Sequence, residues 1–470
     1  MKPKPSKSAG PKPKKTQVKK SDVGESSATL SAKLRDKKDA RLRKKGIQRK
    51  IVHGSILHYI YKNTLGQSVH TQMRQCLQEP FVRSLKLYRY HASNVPFDRR
   101  ITCLEWHPTQ PNTLAVGSKG GDIELWDYKL RDQKTFIKGI GAGGFIGGIK
   151  FCPTDVTRVY VVSGEGTLTM QSFEGHTASV LSQTEDCGHD HHDRCFWYCC
   201  VDVSISRQMV VTGDNVGMLL LTGLDGQKIF SNKLHKAKVT HAEFNPRCDW
   251  LLATASVDHT VKLWDLRNMK DKNSFLHNMP HEKAVNSAYF HPVDCSKLLT
   301  TDQYDQIRVY SSSDWSKPQN IIRHPHRQFQ HITSIKATWH PFHDLIVVGR
   351  YPDKNFSIGD ERTIDIYDSN TAELVGQVHG IDGIKSINKF NPTGDVIASG
   401  MGYTVVIWDQ DKSFLDDECT PEEETSTSAI GPARRPARRR TDADQSKLKK
   451  KLVSGQQSET MTKTKRTRKN

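Results

Sequence analysis

The stretch from His324 to His331 places one large aromatic side chain and several hydrogen-bonding side chains where the hydrophobic pattern predicts a loop. It lies between a strand-like run ending near Ile322 and the strand-like run 332–338, which predicts a hairpin projecting from a sheet edge. One interpretation is a wedge, because opening a stack of bases needs an apolar side chain, and the vacated space needs groups that stack and hydrogen-bond. The other is an ordinary exposed loop with one buried anchor. The wedge would consist of Phe329, Gln330 and His331.

The run from Cys187 to Cys195 contains the residue types that bind zinc. Structural zinc sites usually pair their ligands in two short Cys/His knuckles, and this single run does not, so we predict no metal here. The glycine-rich segment 139–144 lacks the lysine and the following helix of a phosphate-binding loop. The serines and carboxylates form no recognisable nucleophile or acid/base set. The sequence therefore predicts a binding protein without a cofactor, and a metal-dependent enzyme using the Cys187–Cys195 run is the poorest alternative.

Basic residues stand at predicted strand ends and in the loops between them. Each one alone is typical of a solvated charge, but together on one face they would form a positive patch that binds phosphates. If the strand count is right, Lys238 and Arg327 project from the same rim. The candidate phosphate-binding residues are Arg99, Arg100, Lys119, Lys238, Arg327, Arg350 and Arg362.

The position of the net charge of +19 is more informative than its size. Residues 1–50 contain 18 Lys/Arg and 4 Asp/Glu, a balance of +14, and residues 411–470 contain 15 and 10, a balance of +5, so the body is formally neutral. Basic tails without hydrophobic periodicity are usually disordered and act in nuclear import or bind nucleic acid non-specifically. Scattered cysteines and the lack of a long apolar run predict a soluble intracellular protein with no membrane partner.

The body is built from repeats of several short strands. Seven units align with spacings of 43 to 51 residues, which predicts an all-β, seven-bladed β-propeller over residues 96–410. The alignment points are Trp106, Phe151, Val201, Phe244, Phe290, Trp339 and Phe390.

The fourth unit closely resembles a WD repeat, from His235 to Trp264-Asp265. In that family a turn Asp, an upstream His, a strand hydroxyl and the Trp form a hydrogen-bonded chain that fixes the blade. The resemblance assigns these structural roles to Asp258, His235, Ser256 and Trp264.

Residues 51–95 are predicted to form a short helical segment. One helix ends at Gly66, Ser68 can cap a second helix, and Pro80 should break or kink it. A helix pair outside a propeller can cap the propeller or lie in a groove of a partner. The sequence leaves both alternatives open.

Several long strings resemble the family of small subunits of ultraviolet-damaged DNA-binding complexes over roughly residues 55–410. They include Pro96–Arg100, Gly117–Ile123, Phe136–Gly144, Val210–Gly217, Leu298–Gln303 and Val347–Asp353. The basic C-terminal extension after Asp409 and the His-rich loop 187–195 are not features of this resemblance. Phe329, Gln330 and His331 match the damage-probing wedge of the family.

The resemblance implies a nuclear receptor for damaged double-stranded DNA that recognises photodimers, abasic sites and mismatches by extruding nucleotides. It also implies docking to the large subunit of the complex, an adaptor of a cullin–RING ubiquitin ligase, in nucleotide excision repair. Histones or nucleosomes are further expected partners. The main alternative is a nuclear scaffold that binds a histone tail or ribonucleoprotein without touching a base. The implied adaptor-binding residues are Trp264, Asp265, Arg267, Ile56, Ile60, Met73 and Leu77.

Overall fold

The computed structural model describes residues 56–66, 70–130, 134–141, 143–175, 177–185, 188, 195–328, 331–353 and 361–411. The described residues form seven four-stranded antiparallel sheets arranged as the blades of a β-propeller, so the predicted all-β, seven-bladed fold with a short helical segment before it is confirmed. The basic tails 1–50 and 412–470, and most of the run 187–195, lie outside the described residues.

Each of the first six blades consists of four consecutive strands, ordered from the central channel outward as inner, second, third and outer strand. The first three blades contain β2 (Ile101–Trp106), β3 (Thr113–Ser118), β4 (Ile123–Asp127), β5 (Lys134–Ile137), β6 (Ile146–Phe151), β7 (Arg158–Ser163), β8 (Thr167–Ser172), β9 (Ala178–Gln183), β10 (Tyr198–Ser204), β11 (Met209–Asp214), β12 (Met218–Gly223) and β13 (Lys228–Lys233). All six residues of β3 are buried, because neighbouring blades cover both of its faces.

The next three blades repeat this order. They contain β14 (Val239–Phe244), β15 (Leu251–Ser256), β16 (Thr260–Asp265), β17 (Phe275–Pro280), β18 (Val285–Phe290), β19 (Lys297–Asp302), β20 (Gln306–Ser311), β21 (Asp314–Arg323), β22 (Thr338–Trp339), β23 (Leu345–Gly349), β24 (Ile364–Asp368) and β25 (Leu374–Val378). Outer strands are more exposed, and in β21 exposed residues alternate with partly buried ones over most of its length, since only one of its faces packs on the propeller.

The seventh blade joins the two ends of the propeller. Its strands are β26 (Ile387–Phe390), β27 (Ile397–Met401), β28 (Thr404–Gln410) and, on the outside, β1 (Tyr88–Asn94). Tyr88 pairs with Gln410 and Asn94 with Val405, so the first strand of the chain closes the ring. The prediction that the helical segment extends to residue 95 is therefore wrong, because the three C-terminal strands need a fourth and 88–94 supply it.

The hydrogen-bonded chain of the fourth blade differs from the prediction at one residue. His235 Nδ1 lies 2.9 Å from Asp258 Oδ2, and His235 Nε2 lies 2.7 Å from Thr254 Oγ1. Trp264 Nε1 also donates to Thr254 Oγ1, at 2.8 Å. Thr254 and not Ser256 is thus the hydroxyl that links the histidine to the tryptophan. Ser256 Oγ instead donates to the carbonyl of Ala237 at 3.1 Å.

Two helices precede the propeller, α1 (Ile56–Thr64) and α2 (His70–Ser84), and a 3₁₀ turn over Leu85–Leu87 leads into β1. Helix α2 continues four residues past Pro80, so the predicted break at this proline is wrong. The aromatic ring of Phe81, 6.0 Å from that of Phe390, holds the last turn on the propeller. Within the described part of the chain, no helix is long and apolar enough to cross a membrane.

The antiparallel order divides the loops between two faces. Turns that join the second strand to the third emerge on the same face as the connections between blades, which we call the upper face. Turns that join the inner strand to the second, and the third to the outer, emerge on the opposite, lower face. The strand sequence therefore decides which side chains can act together on one surface.

Candidate nucleic-acid interface

Basic side chains gather on the upper face. Arg99 and Arg100 precede the inner strand β2, Lys119 follows the second strand β3, and Lys238 precedes the inner strand β14. Arg327 lies between β21 and β22 and Arg362 just before β24, so these six candidates are at upper-face positions and are exposed or half-buried. The topology thus brings together side chains that are up to 263 residues apart in the sequence, Arg99 and Arg362.

The loop that carries Lys119 adjoins two neighbouring loops. The backbone N–H of Lys119 donates to the carbonyl of Arg100 at 2.8 Å, and Lys119 Nζ lies 3.9 Å from the ring centroid of Phe145. Burial lowers the pKa of Lys119, and the positive charges of Arg100 and Lys238 act in the same direction. A bound phosphate would relieve this repulsion, so the arrangement suits an anion.

A cavity of about 490 Å³ opens at the centre of this face. Arg100, Lys119 and Lys238 line it together with the aromatic side chains Phe145 and Trp197. A second hollow of about 780 Å³ shares Arg100 and Lys119, and it is also lined by Arg99, His331 and Tyr403. The two hollows offer aromatic surface for stacking and cations for phosphates on one face.

The segment that carries the proposed wedge adjoins these hollows, since Gln328 lines the first and His331 lines the second. The strands on either side of it, β21 and β22, belong to different blades, so the segment is a connection between blades and the prediction of a hairpin at a sheet edge is wrong. Strand β22 begins only at Thr338, later than expected. Of the three wedge residues His331 is described and exposed, and Phe329 and Gln330 lie outside the described residues.

Arg350 is not available to a phosphate, although it follows β23 at the upper face. Its side chain is 2% exposed, and its Nε donates to Asp365 Oδ2 at 2.9 Å. The phosphate-binding prediction for this residue is therefore wrong, because the charge is already paired inside the blade. Arg362 differs, since its side chain is 45% exposed and its Nη1 lies 3.4 Å from Asp382 Oδ1.

Charged residues of the inner strands line the channel beneath the cavity. Lys150 Nζ lies 3.2 Å from Glu105 Oε1 and 3.3 Å from Asp202 Oδ1. Glu243 Oε2 accepts a hydrogen bond from the backbone N–H of Phe290 at 2.6 Å. Burial, followed by the repulsion of Asp202, raises the pKa of Glu243 to about 8.

The raised pKa of Glu243 predicts a pH-dependent stability. Between its ordinary pKa and about 8 the folded state holds a proton that the unfolded state has lost, so the free energy of unfolding falls as pH rises. For one proton the slope is at most about 1.4 kcal/mol per pH unit. Glu243→Gln keeps an acceptor for Phe290, and its melting temperature relative to the unsubstituted protein should rise from pH 6 to pH 9. Parallel curves would contradict this, and exposed Glu174→Gln is the control.

Helix α2 packs on the lower face. Arg74 Nη1 lies 2.6 Å from Asp294 Oδ2, and Gln78 Nε2 donates to Asp368 Oδ2 at 3.0 Å. Gln78 Oε1 accepts from the backbone N–H of Asp344 at 3.0 Å. The helix thus contacts the propeller through polar side chains, as a cap would.

Other apolar residues of the two helices remain exposed, although Phe81 and Val82 at the end of α2 pack on the propeller core. Ile60 is 46% exposed and Leu77 is 47% exposed, with Leu57 at 72% beside them, and Met73 is half-buried. The side chain of Ile56 lies outside the described residues. One side of the helices therefore caps the lower face, and the other side leaves apolar surface exposed.

The third strand of the fourth blade ends on this lower face. Trp264 has no exposed surface, so its predicted contact with an adaptor is wrong, and its role is to fix the blade. Asp265, also buried, accepts from Arg267 Nε at 2.9 Å and from Arg267 Nη2 at 2.8 Å. The Arg267 side chain is 55% exposed and lies 4.4 Å from the Trp250 ring centroid. Arg267 is thus oriented outward.

The sequence did not reveal the aromatic lining of the cavity. Phe145 and Trp197 each stand just before an inner strand, β6 and β10, and so reach the upper face. A large aromatic residue directly before the inner strand of a repeat could have indicated this lining from the sequence. Trp197 Nε1 is buried and has no hydrogen-bond acceptor among the described residues. A ligand in the cavity could supply one.

Comparisons with known proteins agree with the architecture. The WD domain, G-beta repeat family matches residues 85–127, 226–265 and 372–409. The chain is 58% identical over 420 residues to DNA damage-binding protein 2 of Danio rerio, covering 87% of this chain and 83% of the relative. It is 55% identical over 419 residues to the protein of the same name from Gallus gallus, with the same coverage. Protein DAMAGED DNA-BINDING 2 of Arabidopsis thaliana is 31% identical over 70% of this chain and 60% of the relative.

Proposed function

Since the chain belongs to the DNA damage-binding protein 2 family of WD-repeat proteins, we propose that it recognises damaged duplex DNA with its upper face. The names of the relatives support a role in DNA damage recognition, and the propeller fold supports a binding role and not an enzymatic one. One observation carries the proposal furthest. Cations, an aromatic-lined cavity and the connection 324–331 meet on a single face of a body that is formally neutral as a whole.

The proposed mechanism divides the work between two sets of residues. The upper-face cations hold phosphates and set the affinity for any duplex, since phosphate contacts carry no sequence information. Phe329 opens the stack, and Gln330 and His331 fill the space that the extruded nucleotides leave. Extrusion costs a few kcal/mol, and least where damage has already weakened pairing. Lesions such as photodimers, abasic sites and mismatches are therefore selected without a chemical step.

The extruded bases would enter the central cavity. Phe145 and Trp197 provide faces on which a base can stack, and the buried Trp197 Nε1 can donate to a base oxygen. Lys119 and Lys238 at the rim would hold the flanking phosphates. Stacking of extruded bases would account for the aromatic lining of the cavity, which phosphate binding alone does not explain.

The test of the function is a binding titration at several salt concentrations. A duplex with a single abasic site should bind more tightly than the intact duplex of the same sequence at every salt concentration. Equal affinities at equal salt would contradict the proposal and would favour a scaffold that binds nucleic acid or histones without base contacts.

The phosphate patch gives a separate prediction. Lys238→Glu should weaken binding to damaged and intact duplexes alike, by roughly tenfold at low salt, and should make the salt dependence shallower by about one counterion. Lys228→Glu is the matched control, because it makes the same charge change at an exposed position of the outer strand β13. If both variants bind as the unsubstituted protein does, the patch has been assigned to the wrong residues.

The lower face supports a second part of the proposal, the role of substrate receptor for a cullin–RING ligase. The exposed apolar residues Ile60 and Leu77 and the outward-facing Arg267 lie at this end of the propeller, opposite the proposed DNA surface. A receptor needs this separation, because the adaptor and the DNA must bind simultaneously. The basic tails support action in the nucleus, where histones are further candidate partners.

The adaptor surface can be tested apart from DNA binding. The double variant Ile60→Asp/Leu77→Asp should bind the large subunit less tightly by at least about 2 kcal/mol, as expected for apolar anchors at the centre of an interface. Less of the large subunit should therefore co-purify with it. Lesion binding and the melting temperature should not change. Ile229→Asp, an exposed apolar position on β13, is the control. Intact co-purification by the double variant would leave Arg267 as the remaining candidate on this face.

A further inference from the structure

Two histidines at the start of the 324–331 connection are enclosed, although the sequence suggested an exposed loop. His324 and His326 have no exposed side-chain surface. Their Nδ1 atoms are 3.2 Å apart, and their rings stack with centroids 5.4 Å apart. One Nδ1 must therefore donate to the other.

The outer nitrogen atoms of the pair reach two different blades. His326 Nε2 lies 3.2 Å from Asp302 Oδ1 and 3.1 Å from Asp302 O, at the end of β19 in the fifth blade. Both of these atoms are acceptors, so His326 Nε2 carries the proton and donates. His324 Nε2 lies 3.5 Å from Asp365 Oδ2, in β24 of the sixth blade. The pair is thus hydrogen-bonded to the fifth blade and packs against the sixth, the two blades that the connection joins.

Backbone hydrogen bonds hold the same segment on both sides. The N–H of His324 donates to Asp305 O at 2.9 Å, and the N–H of Gln328 donates to Gln303 O at 3.1 Å. The carbonyl of Pro325 accepts from the N–H of Tyr351 at 3.0 Å. Residues 324–328, which directly precede Phe329, are therefore held on the propeller.

Because these contacts lie directly before the proposed wedge, we propose that the stacked His324–His326 pair positions the wedge and thereby determines lesion discrimination. The inference rests on the proposed function. Residues that are held before binding do not lose their conformational entropy when the duplex binds, so more of the interaction free energy appears as affinity. The held residues 324–328 also set the direction in which the following residues leave the upper face. Misplacing a functional side chain by about 1 Å can reduce its effect by a large factor.

The position of Asp302 makes a conservative rescue possible. His326→Gln keeps an N–H donor near the place of Nε2, whereas His326→Leu fills similar space without a donor. Lesion preference is measured as the ratio of the intact-duplex to the lesion-duplex dissociation constant. We expect this ratio to fall about tenfold in the Leu variant, which corresponds to the free-energy cost of ordering one or two more side chains on binding. The Gln variant should stay within about threefold of the unsubstituted protein, since the contact to Asp302 persists. Binding to intact duplex should change little in either variant.

A matched control separates positioning from general destabilisation. His281 is also buried in an upper-face connection of the fifth blade, and its Nε2 lies 2.9 Å from Thr300 Oγ1. It lies outside the 324–331 segment, so His281→Leu should lower the melting temperature and leave the ratio unchanged. Amide hydrogen exchange at Gln328 gives a second readout. It should become faster in His326→Leu and not in His281→Leu, because only the former loosens the segment.

The outcomes distinguish this inference from the function on which it rests. If the unsubstituted protein shows no lesion preference, the proposed function fails. If it shows the preference and His326→Leu retains it, or His281→Leu loses it equally, the positioning role is overturned. Should His326→Leu fail to fold, His326→Asn replaces it, since the shorter side chain cannot reach Asp302. A ratio for His326→Asn equal to that of His326→Gln would then overturn the inference.

Discussion

Replacing Phe329, Gln330 and His331 together by alanine is expected to remove most of the preference for damaged DNA. Stacking of a base on an aromatic side chain is worth about 1–3 kcal/mol by alanine substitution, and each lost hydrogen bond adds about 1 kcal/mol. Affinity for a lesion-bearing duplex should therefore fall by at least about 100-fold, at 1.4 kcal/mol per tenfold. Affinity for the intact duplex should change by less than about threefold, because phosphate contacts supply it.

The measurement is a pair of titrations at one salt concentration with matched duplexes. Phe342→Ala serves as the control, because Phe342 is 53% exposed but lies on the lower face, between β22 and β23. It should leave both affinities unchanged. The wedge is wrong if the triple variant keeps its lesion preference, and equally wrong if both affinities fall together, since that pattern belongs to phosphate contacts.

The number of blades could be predicted from the sequence because each blade is encoded by a local pattern. Trp106, Phe151 and Phe244 each mark the end of an inner strand, and the same step recurs along the chain. The closing strand β1 could not be found in this way. Its residues Tyr88 to Asn94 pair with residues more than 300 positions away, and their mixture of polar and aromatic types has no strong strand period.

The errors at the candidate sites have a common physical origin. Thr254 and Ser256 stand two residues apart on one strand and therefore point to the same side, so only packing decides which hydroxyl meets His235. Arg350 and Arg362 occupy equivalent kinds of position at strand ends, yet one is enclosed and the other exposed. A single sequence gives the direction of a side chain more readily than the depth to which its neighbours bury it.

Arg350 gives the second large effect, and it is on stability. Asp365 has no exposed surface and accepts from Arg350 Nε and Nη2 and from Thr363 Oγ1. Although burial alone would raise the pKa of Asp365, His324, Thr363 and Arg350 lower it to about 2. Arg350→Ala leaves this carboxylate buried without its cation, and breaking a buried pair in this way costs about 3–5 kcal/mol.

The free energy of unfolding measured with denaturant should therefore fall by about that amount in Arg350→Ala at neutral pH. The deficit should shrink as pH is lowered towards 5, because removing Arg350 raises the pKa of Asp365 and a protonated carboxyl costs less to bury. Arg362→Ala, at an exposed position, should change stability by less than about 0.5 kcal/mol. If Arg350→Ala instead keeps its stability and weakens binding to both duplexes, with a shallower salt dependence, then Arg350 contacts phosphate after all. If Arg350→Ala instead loses stability while the salt dependence of DNA binding is unchanged, Arg350 stabilises the sixth blade and does not contact DNA.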